Sequence, residues 1–271
     1  MTDRGSVHRP ARRLTAAGGE ILDEIVAEEV AVALVYNGIS HAVMMATPAD
    51  LEDFARGFTL TERIVEKASE IFDIEVEEGE RGIEVKLEIA APRMQSLQER
   101  RRSLAGRTGC GLCGVDSIEA AMRPVAVSAD GSSVARAAIE RAMTALPGQQ
   151  RINKMNGATH AAGWADSGGN LIAVREDVGR HNALDKLAGA LALTQKNAPG
   201  SLKPGGFVVV TSRCSYEMVQ KAAAIGAAAI SAVSAPTSLA IETAERANIA
   251  LAAFVREGRL TAYAHAERIL P

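Results

Sequence analysis

The chain has 271 residues, 47 % hydrophobic and 23 % charged, the profile of a soluble globular protein with enough apolar material for one large domain or two modest ones. A net charge of −3 gives no overall pull toward nucleic acid, and 3 % aromatic residues are too few for a base-stacking surface, so no nucleic-acid partner is expected. Charged or polar residues interrupt every apolar run, and Arg4, Arg9, Arg12 and Arg13 have no apolar stretch behind them, so neither a membrane span nor a secretory signal is expected.

Residues 1–19 read as a flexible, slightly basic tail. Residues 20–125 read as an α+β part. Two apolar, β-branched runs at 29–36 and 39–45 flank Asn37-Gly38, whose positions both tolerate positive φ, so they predict a tight hairpin. Thr47-Pro48-Ala49-Asp50 has a capping hydroxyl, a proline at the first helical position and an acid at the third, which predicts a helix to about residue 63. Residues 71–76 and 83–89 alternate apolar and charged side chains and predict a second hairpin, followed by a polar helix over 93–104. Residues 106–114, Gly-Arg-Thr-Gly-Cys-Gly-Leu-Cys-Gly, carry too much glycine for a regular element and predict an exposed, mobile loop that closes this part.

Residues 126–271 read as an α/β domain. A helix is expected over 134–146, stopping at Pro147-Gly148, and a hairpin over 161–174 around Asp166-Ser167-Gly168-Gly169-Asn170. Strands at 206–211, 227–233, 250–255 and 260–264 alternate with helices at 180–193, 216–225 and 237–247, which argues for βαβ units and a largely parallel sheet with helices on its faces. There is no internal repeat.

Ligands of such sheets bind where strands run into helices. Three turns here carry polar groups at a helix start: 175–182 with Arg180 and His181, 211–215 with Ser212, Arg213 and Cys214, and 234–238 with Ser234 and Thr237. Free N–H groups beside arginine suit phosphate; ordinary helix capping is the better account of any one turn, but three such turns at one edge, with Arg180 and Arg213, make a phosphate-bearing ligand a comparable reading. His181 fits either role. Cys214 fits a ligand contact or the commoner fate of a small buried residue.

Cys110 and Cys113 admit four readings. A structural zinc site needs four ligands, and only Cys214 and five scattered histidines remain. A zinc deaminase needs H-x-E before P-C-x-x-C; His265-Ala266-Glu267 comes after the cysteines, and Gly109 stands where proline is required. A thioredoxin-like pair needs a strand directly before it. The fourth reading is a persulfide carrier, with glycines giving reach and Arg100, Arg101, Arg102 and Arg107 favouring thiolate. The bland alternative for those arginines is a solvated helix face. Three cysteines, two in one C-x-x-C, also point to a reducing, cytoplasmic setting. A rival function is a non-catalytic nucleotide- or cofactor-binding module whose cysteines hold metal across a dimer.

These segments together resemble the FdhD family, the sulfurtransferase accessory proteins of formate dehydrogenases. The matching pieces are 108–114, 175–186, 211–218, Ser234-Ala235-Pro236-Thr237 and Phe254-Val255-Arg256-Glu257-Gly258-Arg259, in order along the chain. The resemblance implies a homodimer whose C-terminal domain is a cytidine-deaminase-like, three-layer α/β fold beside a smaller N-terminal α+β part. It implies that a cysteine desulfurase loads sulfur on Cys110, assisted by Cys113. The sulfur then passes to the molybdenum or tungsten of a bis(molybdopterin guanine dinucleotide) cofactor destined for formate dehydrogenase. Phe254, Val255, Arg256, Glu257, Gly258 and Arg259 match the family's cofactor-binding stretch. Arg180, His181, Ser212, Arg213, Cys214, Ser234 and Thr237 would help to hold the guanine dinucleotide halves, which GDP would mimic. No resident metal is implied.

Overall fold

The computed structural model describes residues 4–105, 125, 127, 128, 131–198, 200, 202–256 and 258–271, with the backbone alone for 100–105. The amino-terminal stretch corrects the expectation of a tail. Ser6–Thr15 (β1) and Gly18–Ala27 (β2) pair antiparallel along their whole length. Arg13 is salt-bridged to Glu24 at 3.0 Å and His8 bonds Asp23 at 2.8 Å. A basic strand without apolar alternation is organised here by the acidic strand beside it, which local pattern does not reveal.

The next sheet follows the sequence closely. Val30–Tyr36 (β3) and Ile39–Ala46 (β4) turn at Asn37 (φ 47°) and Gly38 (φ 79°), the two left-handed residues that a type I′ loop requires. Ile71–Gly79 (β5) and Gly82–Ile89 (β6) form the second hairpin, and the order is β4-β3-β6-β5. Its inner face, with Val32, Leu34, Val85 and Leu87, packs on Phe54 and Ala55 of Leu51–Thr61 (α1) and on Met94 and Leu97 of Ala91–Ala105 (α2).

Helix α1 starts later than its capping signal predicts. Asp50 (φ 53°) is its N-cap, because Thr47 is engaged elsewhere. Its N–H donates to Asp177 Oδ2 at 3.0 Å, and its hydroxyl accepts from the Val178 N–H at 3.1 Å.

The second part is a three-layer α/β structure. Strands His160–Ala165 (β8), Leu171–Asp177 (β9), Phe207–Val210 (β10), Ala229–Ala232 (β11), Ala250–Arg256 (β12) and Arg259–Ala264 (β13) form one sheet in the order β13-β12-β11-β10-β8-β9. Val134–Ala135 (β7) and Ile269–Leu270 (β14) make a minor pair. Only β10, β11 and β12 pair in parallel, so the sheet is mixed rather than largely parallel. The tight turns that join β8 to β9 and β12 to β13 permit only antiparallel neighbours.

Arg136–Gln149 (α3), followed by Arg151–Asn156 (α4), covers one face. Arg180–Asn197 (α5), Tyr216–Ala224 (α6) and Ser238–Arg246 (α7) cover the other. Pro147 sits inside the last turn of α3, and the helix ends after it, at Gln149.

The two parts are locked together. Helices α1 and α5 cross with backbone against backbone: a Cβ on Gly57 would lie 1.7 Å from Asp185 O, and one on Gly189 1.9 Å from Asp53 O. Beside the crossing, Lys186 and Asp177 form a fully buried ion pair at 2.7 Å, and Lys186 Nζ also donates to Thr47 O at 2.9 Å. Asn182 bridges Asp177 Oδ1 at 3.0 Å and Met45 O at 2.9 Å. On the far side of α5, Lys221 bonds Asp185 at 2.8 Å, Glu62 at 3.0 Å and Thr61 at 3.1 Å.

Candidate functional site at the carboxyl edge of the sheet

Because β8 is antiparallel to both β9 and β10, those two strands run the same way as β11 and β12. Their carboxyl ends therefore meet at one edge. The turns there are stitched to each other. Thr211 Oγ1 accepts from the Ala161 N–H at 2.9 Å, the Cys214 N–H donates to Ala235 O at 3.1 Å, and the Thr237 N–H to Cys214 O at 3.1 Å. The Phe254 N–H reaches Ser234 O at 3.4 Å. Across the helix starts, His181 Nε2 lies 2.8 Å from Glu217 Oε2 and 3.4 Å from Ser215 Oγ.

Helix capping accounts for one of the three turns. Thr237 caps α7, its Oγ1 accepting from the Ala240 N–H at 3.2 Å. At α5 the N-cap is Gly179, which has no side chain to offer, and at α6 the Ser215 hydroxyl makes no capping bond. Arg180, the first residue of α5, has its Nε buried with no partner among the described residues. Arg180 as a whole is half-buried, and a partly accessible guanidinium beside two helix starts suits an anionic ligand. The Arg180 charge also acts on His160, at the start of β8; burial first and that charge second hold its imidazole below the usual histidine range.

The remaining candidates divide. Arg213 is exposed and Ser234 half-buried at the edge, whereas Ser212 is buried and its hydroxyl donates to Arg213 O at 2.9 Å. Phe254 is 37 % exposed and holds φ 54°, a left-handed conformation that costs a phenylalanine free energy and places an aromatic face at the edge. Val255 is buried in the core under α3. Arg256 and Arg259 face each other across the β12–β13 turn, with Gly258 at φ 71°. Glu257, Cys110, Cys113 and the whole 106–114 loop lie outside the described residues.

Two expectations are corrected. Cys214 does not offer its thiol to a ligand: the side chain is wholly buried among Val210, Met218 and their neighbours, and burial pushes the thiol up to about 12. Its backbone, not its sulfur, belongs to the site. Treating the native protein at mildly basic pH with iodoacetamide should leave Cys214 unmodified until denaturant is added; peptide mapping that finds it alkylated in the native state would contradict this burial. The 175–182 turn, read as a phosphate loop, is mostly structural. Arg175 Nη2 pairs with Asp53 at 2.7 Å, and Glu176 accepts from the Ile152 and Asn153 N–H groups at 2.9 and 2.8 Å. Asp177 and Asn182 join the two parts, so only Arg180 and His181 remain for a ligand.

Sequence reasoning passed over Glu217 and His160. An acid in the first turn of a helix is equally explained by the helix dipole, so Glu217 carried no distinguishing signal. Among the described residues no three His, Cys, Asp or Glu side chains gather as a metal site, and no helix is long and apolar enough to cross a membrane.

Comparison with known proteins bears on the chain as a whole. Residues 27–270 match the model of the FdhD/NarQ family. The chain is 57 % identical to the sulfur carrier protein FdhD of Cupriavidus necator, over 90 % of this chain and 83 % of that one. It is 51 % identical to the protein of the same name from Bordetella petrii, over 93 % and 89 %, and 47 % identical to that of Xanthomonas euvesicatoria, over 98 % and 92 %. Among solved structures it resembles a protein described as a formate dehydrogenase accessory protein from Desulfotalea psychrophila. The TM-score is 0.76 at 26 % identity, covering 98 % of this chain and all of that one.

Proposed function

Because the chain belongs to the FdhD/NarQ family, we propose that it is a sulfur carrier for formate dehydrogenase. It takes sulfur on Cys110 and delivers it to a bis(molybdopterin guanine dinucleotide) cofactor held at the sheet edge. In the loading step the Cys110 thiolate attacks the terminal sulfur of a cysteine desulfurase persulfide. A new S–S bond forms at Cys110 as the donor's breaks, and the desulfurase cysteine leaves as thiolate. Cys113 assists by shielding or exchanging that sulfur. The cofactor is cargo, passed on after sulfuration, and its metal belongs to the cargo.

The observation that carries the binding half of this reading is Arg180, whose buried Nε has no described partner at the start of an uncapped helix. Arg213 adds a second cation for the phosphates and Phe254 an aromatic face for a guanine. Family membership and the glycine-flanked C-x-x-C support the sulfur half.

The test supplies the gene to a bacterium lacking its own FdhD and assays formate dehydrogenase. Wild type is expected to restore activity and Cys110→Ala to abolish it while the enzyme polypeptide is still made. In parallel, Arg180→Ala is expected to weaken GDP binding about tenfold or more, the value of a charge-assisted hydrogen bond. Full maturation by Cys110→Ala, or unchanged GDP affinity in Arg180→Ala, would overturn the corresponding half.

A further inference from the structure

The amino-terminal hairpin β1–β2 stands away from the rest of the chain as an arm. Its base is tied down: Asn156 of α4 donates to Ser6 Oγ at 2.9 Å, the Glu28 N–H to Gly5 O at 3.0 Å, and Arg4 pairs with Glu78 at 2.9 Å. Beyond the base, every residue from His8 to Ile21 except Ala11 is exposed. Two strands of ten residues reach about 33 Å, and a two-stranded ribbon with nothing against it is marginally stable in water. One of its faces is apolar at the tip, where Leu14 is 72 % and Ile21 82 % exposed. Arg12, opposite Ile21 in the register, shares that face and bonds to no other described residue.

The chain also carries an uncovered sheet face. In the sheet β4-β3-β6-β5 the clustered core side chains point toward α1 and α2. On the other face Val43 and Met45 of β4 are 56 % and 51 % exposed, beside the small Ala33 and Ala31 of β3. Next to these stand Glu84 and Glu88 of β6 and Asp73, Glu75 and Glu77 of β5, all exposed. Asp73 faces Glu88 and Glu77 faces Glu84 across the strands, like-charge pairs that destabilise a sheet. Lys86, the basic residue among them, is paired with Glu77. Within one protomer the arm and this face leave each other exposed.

We propose that the arm docks on the outer sheet face of a second copy of this chain. Leu14 and Ile21 cover Val43, Met45 and the alanines, and Arg12 enters the carboxylates that begin at Glu84. Each surface supplies what the other lacks: the arm brings a cation beside its apolar tip, the face surplus anions beside its apolar strip. Since one chain holds both surfaces, two copies can exchange arms about a two-fold axis, each giving one and receiving one. Docking is face to face rather than strand to strand, because Pro10 in β1 has no N–H to offer a further strand.

The test is sedimentation equilibrium of the full-length protein over a range of concentrations. Wild type is compared with an acidic-arm variant, Arg12→Glu/Ile21→Glu, and a basic-face variant, Val43→Lys/Glu84→Lys, singly and mixed. All four positions are exposed, and each variant is first shown to be folded by circular dichroism. Wild type is expected to dimerise. Each variant alone should self-associate about tenfold more weakly or worse, because like charges then meet across the contact. Mixed in equal amounts, the two should form a heterodimer, since the acidic arm meets the basic face and the unchanged arm meets the unchanged face. A monomeric wild type would overturn the proposal. A dimer that both variants retain would also overturn it, placing the interface elsewhere. So would a mixture no more associated than its two components.

Discussion

Replacing Lys186 with methionine is expected to lower the unfolding free energy by about 3–5 kcal/mol, the cost of leaving one charge of a buried pair without its counter-charge. Lys186 and Asp177 are both fully buried and 2.7 Å apart, and the ammonium also serves Thr47 O. Methionine fills a similar volume, so the loss measures the stranded carboxylate rather than a cavity. Asp177 would keep the N–H groups of Thr47 and Gly179, at 3.0 and 2.8 Å, which soften the loss without removing it. The double variant Lys186→Met/Asp177→Asn removes the charge as well and should cost less than the single change. Urea unfolding of the three variants decides the matter. A loss below about 1 kcal/mol for Lys186→Met would show that this pair does not hold the two parts together.

Gly189→Ala should be at least as damaging as an overpacked core, at about 1–3 kcal/mol or more. The new Cβ would meet Asp53 O at 1.9 Å, its carbonyl carbon at 2.7 Å and its Cα at 2.9 Å. These are backbone atoms, so no rotamer change relieves the clash and α1 must move away from α5. Gly57→Ala makes the reciprocal clash with Asp185 O and should behave alike. The helix-propensity gain from alanine, about 1 kcal/mol, works against the loss and makes any measured drop a lower bound. Gly148→Ala in α3 is the control: nothing lies within 4 Å of its Cβ, so it should be neutral or slightly stabilising. Thermal unfolding that found Gly189→Ala and Gly148→Ala equivalent would refute the close crossing. Since Gly189→Ala and Gly57→Ala both displace α1 from α5, whose first turn carries Arg180 and His181, GDP affinity should weaken along with stability in those two variants and not in Gly148→Ala.

Features set by neighbouring residues were legible in the sequence. Asn37-Gly38 announced its hairpin because both turn positions need positive φ, and the strand and helix order of the second part followed from hydrophobic period. Features set by distant residues were not. Thr47 reads as a helix cap until Asp177, 130 positions away, takes its N–H. The basic strand Ser6–Thr15 reads as a tail until Gly18–Ala27 folds back on it. The run 175–186 was recognisable as a motif, but which of its residues serve the junction was not legible. Polar residues packed that densely signal a phosphate loop or a buried junction equally, and only the partners Asp53, Ile152 and Thr47 distinguish them. Cys214 was ambiguous for the same reason, since small residues at a strand end serve a core or a ligand alike. The C-x-x-C, its glycines and its neighbouring arginines are read from the sequence alone, since residues 106–114 lie outside the described ones.

The central claim is that Cys110 carries sulfur. Its most direct test is intact-protein mass spectrometry after incubation with a cysteine desulfurase and cysteine, comparing wild type with Cys110→Ala and Cys113→Ala. Reductant-labile sulfur on wild type, and none on Cys110→Ala, is the expected result. Normal loading of Cys110→Ala, or no loading of wild type, would contradict the account and return the loop to the rival reading of a metal or binding element.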